Sequence, residues 1–174
     1  MENVLITSDV SEALFVVLLG LGLSPGTVLV SSKDNCRHAG LFSLMGMEMT
    51  STFDTKDVVP PINLVYRDWD SDIGSQERAL SVASARNCPD IVDLDSSLWS
   101  RTSMSLPPHL DRTVFMGNLD ALSGLSTFRV AFLFGPKAIF ERCRTWKQAL
   151  SICGAAPSQR AALHALEATD EGGS

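Results

Sequence analysis

What constrains this chain most is a run of short, almost unbroken apolar segments separated by segments with helical spacing. The strand-like runs are Asn3–Thr7, Thr27–Ser31, Met49–Phe53, Ile62–Arg67, Asp90–Leu94 and Phe128–Phe134. A strand with one wet face alternates apolar and polar residues, whereas a strand covered on both faces reads as a continuous apolar run. Between the runs lie Ser11–Leu23, Cys36–Met47, Gly74–Asn87 and Gly135–Cys153, each with helical character. The spacing predicts an α/β fold: a mostly parallel sheet of about five or six strands with helices on both faces. One domain is expected over residues 1–154. A flexible C-terminal tail is expected at 155–174, with a short helix at Ser158–Ala168.

The apolar run from Ala13 to Leu23 is 11 residues long, against the roughly 20 needed to cross a bilayer. Acids (Glu2, Asp9, Glu12) precede it, and the first basic residue is Lys33, so it lacks the basic start of a signal peptide. A buried helix of a cytoplasmic protein in a reducing compartment is expected, with a virion as a second setting and no membrane. The four cysteines contain no Cys-x-x-Cys pair, which argues against a zinc site and a disulfide scaffold.

Charge is distributed unevenly. Residues 1–128 hold 8 Lys and Arg against 16 acids, while residues 129–160 hold 6 against 1. Opposed blocks suit self-association, and a basic segment suits an anionic partner. Arg129, Lys137, Arg142, Arg144 and Lys147 are the candidate nucleic-acid contacts within 129–147. However, Ile139, Phe140, Cys143, Trp146, Leu150 and Cys153 recur at helical spacing there, which places Trp146 in a core-facing stripe.

In α/β folds ligands gather at the carboxyl ends of strands. That rule points to Ser8-Asp9, to Ser31–Asp34 and to Asp68-Trp69-Asp70-Ser71-Asp72. Asp68, Asp70 and Asp72 form a candidate Mg²⁺ site, since that ion takes oxygen ligands and keeps several waters. A solvated loop capping the next helix explains the same residues. An EF-hand does not, because Ile73 and Ala79 stand where it needs Gly and Glu.

The order of these features resembles the Toprim domain of primases, topoisomerases and related nucleases. Val4-Leu5-Ile6-Thr7 leads into Ser8-Asp9-Val10-Ser11-Glu12, and Asp68 and Asp70 match the Asp-x-Asp pair of that family over residues 3–95. Ser8 stands where the resemblance places the catalytic Glu, Asp9 stands where it places Gly, and Gly74 falls one residue late. The resemblance implies a degenerate copy that keeps the fold and loses the chemistry, because a serine without an adjacent base cannot act as a general acid or base.

Other catalytic patterns are missing. The sequence contains no Gly-x-Ser-x-Gly elbow and no phosphate-binding Gly-x-x-x-x-Gly-Lys, and Gly20-x-Gly22 lies late in a helical run. Within Cys36-Arg37-His38, Cys36 reads as a small buried residue rather than a nucleophile. The residues therefore favour a non-catalytic interaction or assembly protein working with nucleic-acid machinery, of the kind a virus or phage uses in packaging, with no certain cofactor. The alternative is a Mg²⁺-dependent phosphodiester or nucleotide enzyme of degenerate Toprim type.

Overall fold

The computed structural model describes residues 4–31, 36–51, 61–69, 73–94, 111–119, 125, 127–151 and 154–171. In chain order the elements are β1 (Val4–Thr7), α1 (Val10–Leu21), β2 (Gly26–Val30), α2 (Ala39–Leu44), β3 (Met47–Thr50), β4 (Ile62–Asp68), α3 (Ile73–Arg86), β5 (Asp90–Leu94), β6 (Thr113–Asn118), β7 (Ala131–Phe134), α4 (Lys137–Leu150) and α5 (Ala156–Glu171). The strands form one sheet of seven, in the order β1-β7-β6-β5-β4-β2-β3. Every pairing is parallel except those of β7, which runs against both β1 and β6. The α/β class and the mostly parallel sheet are as the apolar runs predict.

Both faces of the sheet are covered, which is why the strands are apolar throughout. On one face α1, α2 and α4 bury Leu14, Val17, Phe42 and Phe140 against Val28, Leu64, Ile91, Val114 and Leu133. On the other face Ala79 and Ala83 of α3 pack on Leu29 and Val65, and Ala162 of α5 packs near Val92, Phe115 and Phe132. The early apolar run is α1, with Ala13, Leu14, Val16, Val17 and Leu18 fully buried. No helix among the described residues is long and apolar enough to cross a membrane.

The start of α1 is fixed by a reciprocal cap. The Glu12 amide donates to the Asp9 carboxylate at 2.7 Å, and the Ser8 amide donates to the Glu12 carboxylate at 2.6 Å. Its end is fixed by Gly22, whose φ of 69° suits a residue without Cβ. Near that end α1 meets α4 so closely that a Cβ on Gly20 would lie 2.6 Å from Cys143 Sγ.

Several boundaries differ from the sequence expectation. β6, at Thr113–Asn118, is not among the apolar runs read as strands. α2 is confined to 39–44 because Gly46, at φ 67°, turns the chain into β3. Residues 156–171 form α5, longer than the expected 158–168. The buried stripe of α4 is Phe140, Cys143 and Lys147, and Trp146, expected to face the core, is 43% exposed.

Glu12 links α1 to α4. Its carboxylate accepts a hydrogen bond from Ser151 Oγ at 2.6 Å and lies 3.8 Å from Lys147 Nζ. Partial burial alone would raise its pKa, but the bonds from Ser151 and Ser8 and the Lys147 charge outweigh that and lower it from the ordinary 4.5. The stabilisation is therefore complete above about 4.5 and is lost as pH falls through the lower folded value. Urea midpoints from about pH 3 to about pH 6 are expected to fall less steeply toward acid in Glu12→Gln than in the wild type; parallel curves would refute this.

Candidate functional site

A pocket of about 270 Å³ opens at the carboxyl edge of the parallel strands. Its lining comes from four places in the chain. Ser8, Asp9, Val10 and Ser11 follow β1, Arg37 and His38 precede α2, Asn118 ends β6, and Arg129 and Val130 precede β7. Arg129 reaches this edge because β7 is reversed, so its beginning lies where the other strands end.

Behind the pocket lies a buried polar cluster. Asp93, in β5, is 1% exposed, and Tyr66, in β4, is likewise 1% exposed. The Tyr66 hydroxyl donates to Asp93 Oδ2 in a short hydrogen bond. Arg37 Nε donates to the same oxygen at 2.9 Å, and its Nη2 pairs with Oδ1. His38 is 6% exposed, and its Nε2 lies 3.4 Å from Asp93 Oδ2 with no hydrogen-bond partner among the described residues. The His38 and Phe42 rings both meet Tyr66 edge to face.

The electrostatics follow from burial and from the Asp93 charge. Burial, then the negative charges of Asp93 and Asp68, raise the Tyr66 phenol far above its ordinary value, so it stays a donor. Burial works against the Arg37 charge, but the bond to Asp93 and the Asp93 charge outweigh it and raise its pKa. Asp68 is raised by burial and by Asp93, which favours its protonated form. The Cys36 thiol is also pushed up, chiefly by burial, in keeping with a buried residue rather than a thiolate nucleophile.

The residues singled out from sequence are scattered. Asp68 ends β4 and lies 3.5 Å from the Tyr66 hydroxyl, while Asp70 and Asp72 lie outside the described residues. Among the described residues no group of three His, Cys, Asp or Glu side chains could hold a metal ion. The five cations do not share one surface. Arg129 and Lys137 flank opposite ends of β7, and Lys147 is 8% exposed and donates to Ser151 Oγ at 3.1 Å. Asp93, Tyr66, Arg37 and His38 were not read as a group. The available signal was a carboxylate near the end of an otherwise apolar strand, beside a second apolar run ending in Tyr66-Arg67-Asp68.

No protein-family model matches the sequence, and no curated protein matches it. Solved structures do share the fold. An aspartate aminotransferase from Thermotoga maritima is 17% identical with a TM-score of 0.76, over 95% of this chain and 51% of that one. A probable N-succinyldiaminopimelate aminotransferase from Thermus thermophilus is 18% identical with a TM-score of 0.76, over 95% and 51%. A methionine aminotransferase from Escherichia coli is 16% identical with a TM-score of 0.76, over 98% and 51%. The chain thus spans about half the length of these structures. These neighbours, each named as an aminotransferase, overturn the expectation of a non-catalytic assembly or packaging factor. They lend no support to RNA binding through residues 129–147 or to the Toprim pattern. What the chain shares with them is the fold, a seven-stranded α/β layer of the aminotransferase kind.

Proposed function

We propose that this chain serves a small-molecule site of the kind aminotransferases carry, and that its ligand bears a phosphate. The observation carrying this reading is the convergence of Arg129, His38 and the first turn of α1 on one pocket. The amides of Val10 and Ser11 lie in that turn, before the intrahelical ladder begins, and the helix dipole favours an anion there. Arg129 is exposed and pairs with no carboxylate among the described residues, so its guanidinium is available for bidentate contact. Asp9 and the Arg37–Asp93 pair temper the field, which makes the expected affinity modest.

Pyridoxal phosphate is the group the fold implies. Such sites need a phosphate cradle, a carboxylate or arginine facing the pyridine nitrogen, and a lysine that forms the imine. The cradle residues fit. Asp93 has the right chemistry near the end of β5, but its Oδ2 accepts from Arg37 and Tyr66, and its Oδ1, which has no hydrogen bond among the described residues, lies in ion-pair contact with Arg37. No lysine is among the described residues that line the pocket. The described residues thus fit the phosphate, and none of them supplies the amine of an imine.

Phosphate and pyridoxal phosphate are both expected to raise the melting temperature by mass action, and phosphate-free pyridoxal is not. Arg129→Gln is expected to weaken phosphate binding by about tenfold, the loss of one charged hydrogen-bond contact. Calorimetry and thermal shift check this. Unchanged melting with either phosphate compound, or wild-type affinity in Arg129→Gln, would refute the site.

A further inference from the structure

We infer that the pocket takes a small phosphorylated carboxylic acid, whose phosphate meets Arg129 and the first turn of α1 and whose carboxylate meets Arg37 and His38. The inference rests on the phosphate reading of this site and goes further by naming what the other end of the ligand carries.

The lining has two ends. Arg129 and Asn118 stand at the feet of β7 and β6, beside the turn that follows β1, whereas Arg37 and His38 come from the segment before α2. Arg37 is anchored on β5 by its pairing with Asp93. Only β6 lies between β5 and β7 in the sheet, so two strand spacings, about 10 Å, separate the two ends. Arginine side chains that line one pocket from both ends can share a single small molecule, in keeping with a volume of about 270 Å³. Asp9, also in the lining, belongs to the α1 end, where its carboxylate accepts from the Glu12 amide at 2.7 Å.

What Arg37 does to Asp93 sets the sign of the second end. The Asp93 side chain is 0% exposed, whereas that of Arg37 is 44% exposed and lines the pocket. Arg37 Nε donates to Asp93 Oδ2, its Nη2 lies against Oδ1, and the Tyr66 hydroxyl donates to Oδ2. The acid is thereby turned inward and the cation outward, and a guanidinium has more N–H donors than this pairing uses. His38 stands beside it, its ring edge to face on Tyr66 and its buried Nε2 with no hydrogen-bond partner among the described residues. Buried polar atoms are ordinarily satisfied, so a ligand acceptor suits this end. A carboxylate can meet a guanidinium at two points. A methyl group leaves both side chains unmet, and an ammonium sets like charge against Arg37.

The test uses three phosphomonoesters of similar size: phosphoglycolate, ethyl phosphate and phosphoethanolamine. They place a carboxylate, a methyl and an ammonium at the end remote from the phosphate. Calorimetry on the full chain is expected to rank them in that order, with phosphoglycolate about tenfold tighter than ethyl phosphate, the effect of one charge-assisted contact. Arg129→Gln is expected to weaken all three and keep the order. Arg37→Gln, which uncovers the Asp93 charge, is expected to reverse it, so that phosphoethanolamine binds more tightly than phosphoglycolate. Equal wild-type affinities, or a preference for ethyl phosphate or phosphoethanolamine, would overturn the inference while leaving the phosphate site intact. A carboxylate preference that persists in folded Arg37→Gln would overturn it too; should that variant fail to fold, the wild-type ranking decides alone. If none of the three binds, and inorganic phosphate does not either, the site and the inference fall together.

Discussion

Asp90→Ala is expected to destabilise the protein by about 3–5 kcal/mol, the cost of leaving one member of a buried ion pair alone. Arg67 is 1% exposed and Asp90 is fully buried. The guanidinium grips the carboxylate at two points, Nε to Oδ1 at 2.8 Å and Nη2 to Oδ2 at 2.6 Å. Thr113 Oγ1 donates to the same Oδ2 at 3.2 Å, and Arg67 Nη1 donates to Gln76 Oε1 at 3.2 Å. The pair therefore joins β4, β5, β6 and α3 at one point. Without the carboxylate, Arg67 keeps its charge in a place that water does not reach. Urea unfolding of Asp90→Ala and Asp90→Asn measures the effect, and a loss below about 1 kcal/mol would show that Arg67 finds solvent or another acceptor.

The second large effect is expected at Phe140, where truncation to alanine should cost about 3–5 kcal/mol. Phe140 is fully buried, and its ring lies 3.3 Å from where a Cβ on Gly135 would sit. It holds α4 on the sheet, and α4 in turn carries Lys147, which faces Glu12. Glu12 receives the Ser8 amide at the mouth of the pocket. Phe140→Ala is therefore expected to weaken phosphate binding as well as stability, whereas Phe140→Leu should retain most of both. A stability loss with wild-type phosphate affinity would uncouple α4 from the pocket.

The layered architecture was legible because burial on both faces writes itself into composition: Val28, Leu29 and Val30 admit no wet side. Direction was not legible. Apolar continuity is the same whether a strand runs up or down, so the reversal of β7 left no trace in Ala131–Phe134. β6 was hidden because Gly117 and Asn118 break its apolar run after Phe115 and Met116. Arg67 looked like the polar end of a strand, and only pairing with a residue 23 positions away makes it a core residue. The candidate site failed for the same reason. Arg37, Tyr66, Asp93 and Arg129 are far apart in sequence, and no local spacing connects them. Trp146 was assigned inward because its spacing fits the stripe; Lys147, one position on, took that place through Ser151 and Glu12.

The reversed seventh strand has a consequence for how such a protein can diversify. Because β6 ends and β7 begins on the same edge, Asn118 and Arg129 stand at the two feet of a single hairpin. The ladder below them, from Asn118 opposite Ala131 down to Phe115 opposite Phe134, is independent of what joins the feet. Changes to the stretch that joins the feet can therefore retune the width and charge of the pocket mouth, provided Leu119 and Leu125, both buried in the core on the second face, are kept. A library that varies the residues between the feet while holding Leu119 and Leu125 is expected to change ligand choice with little change in melting temperature.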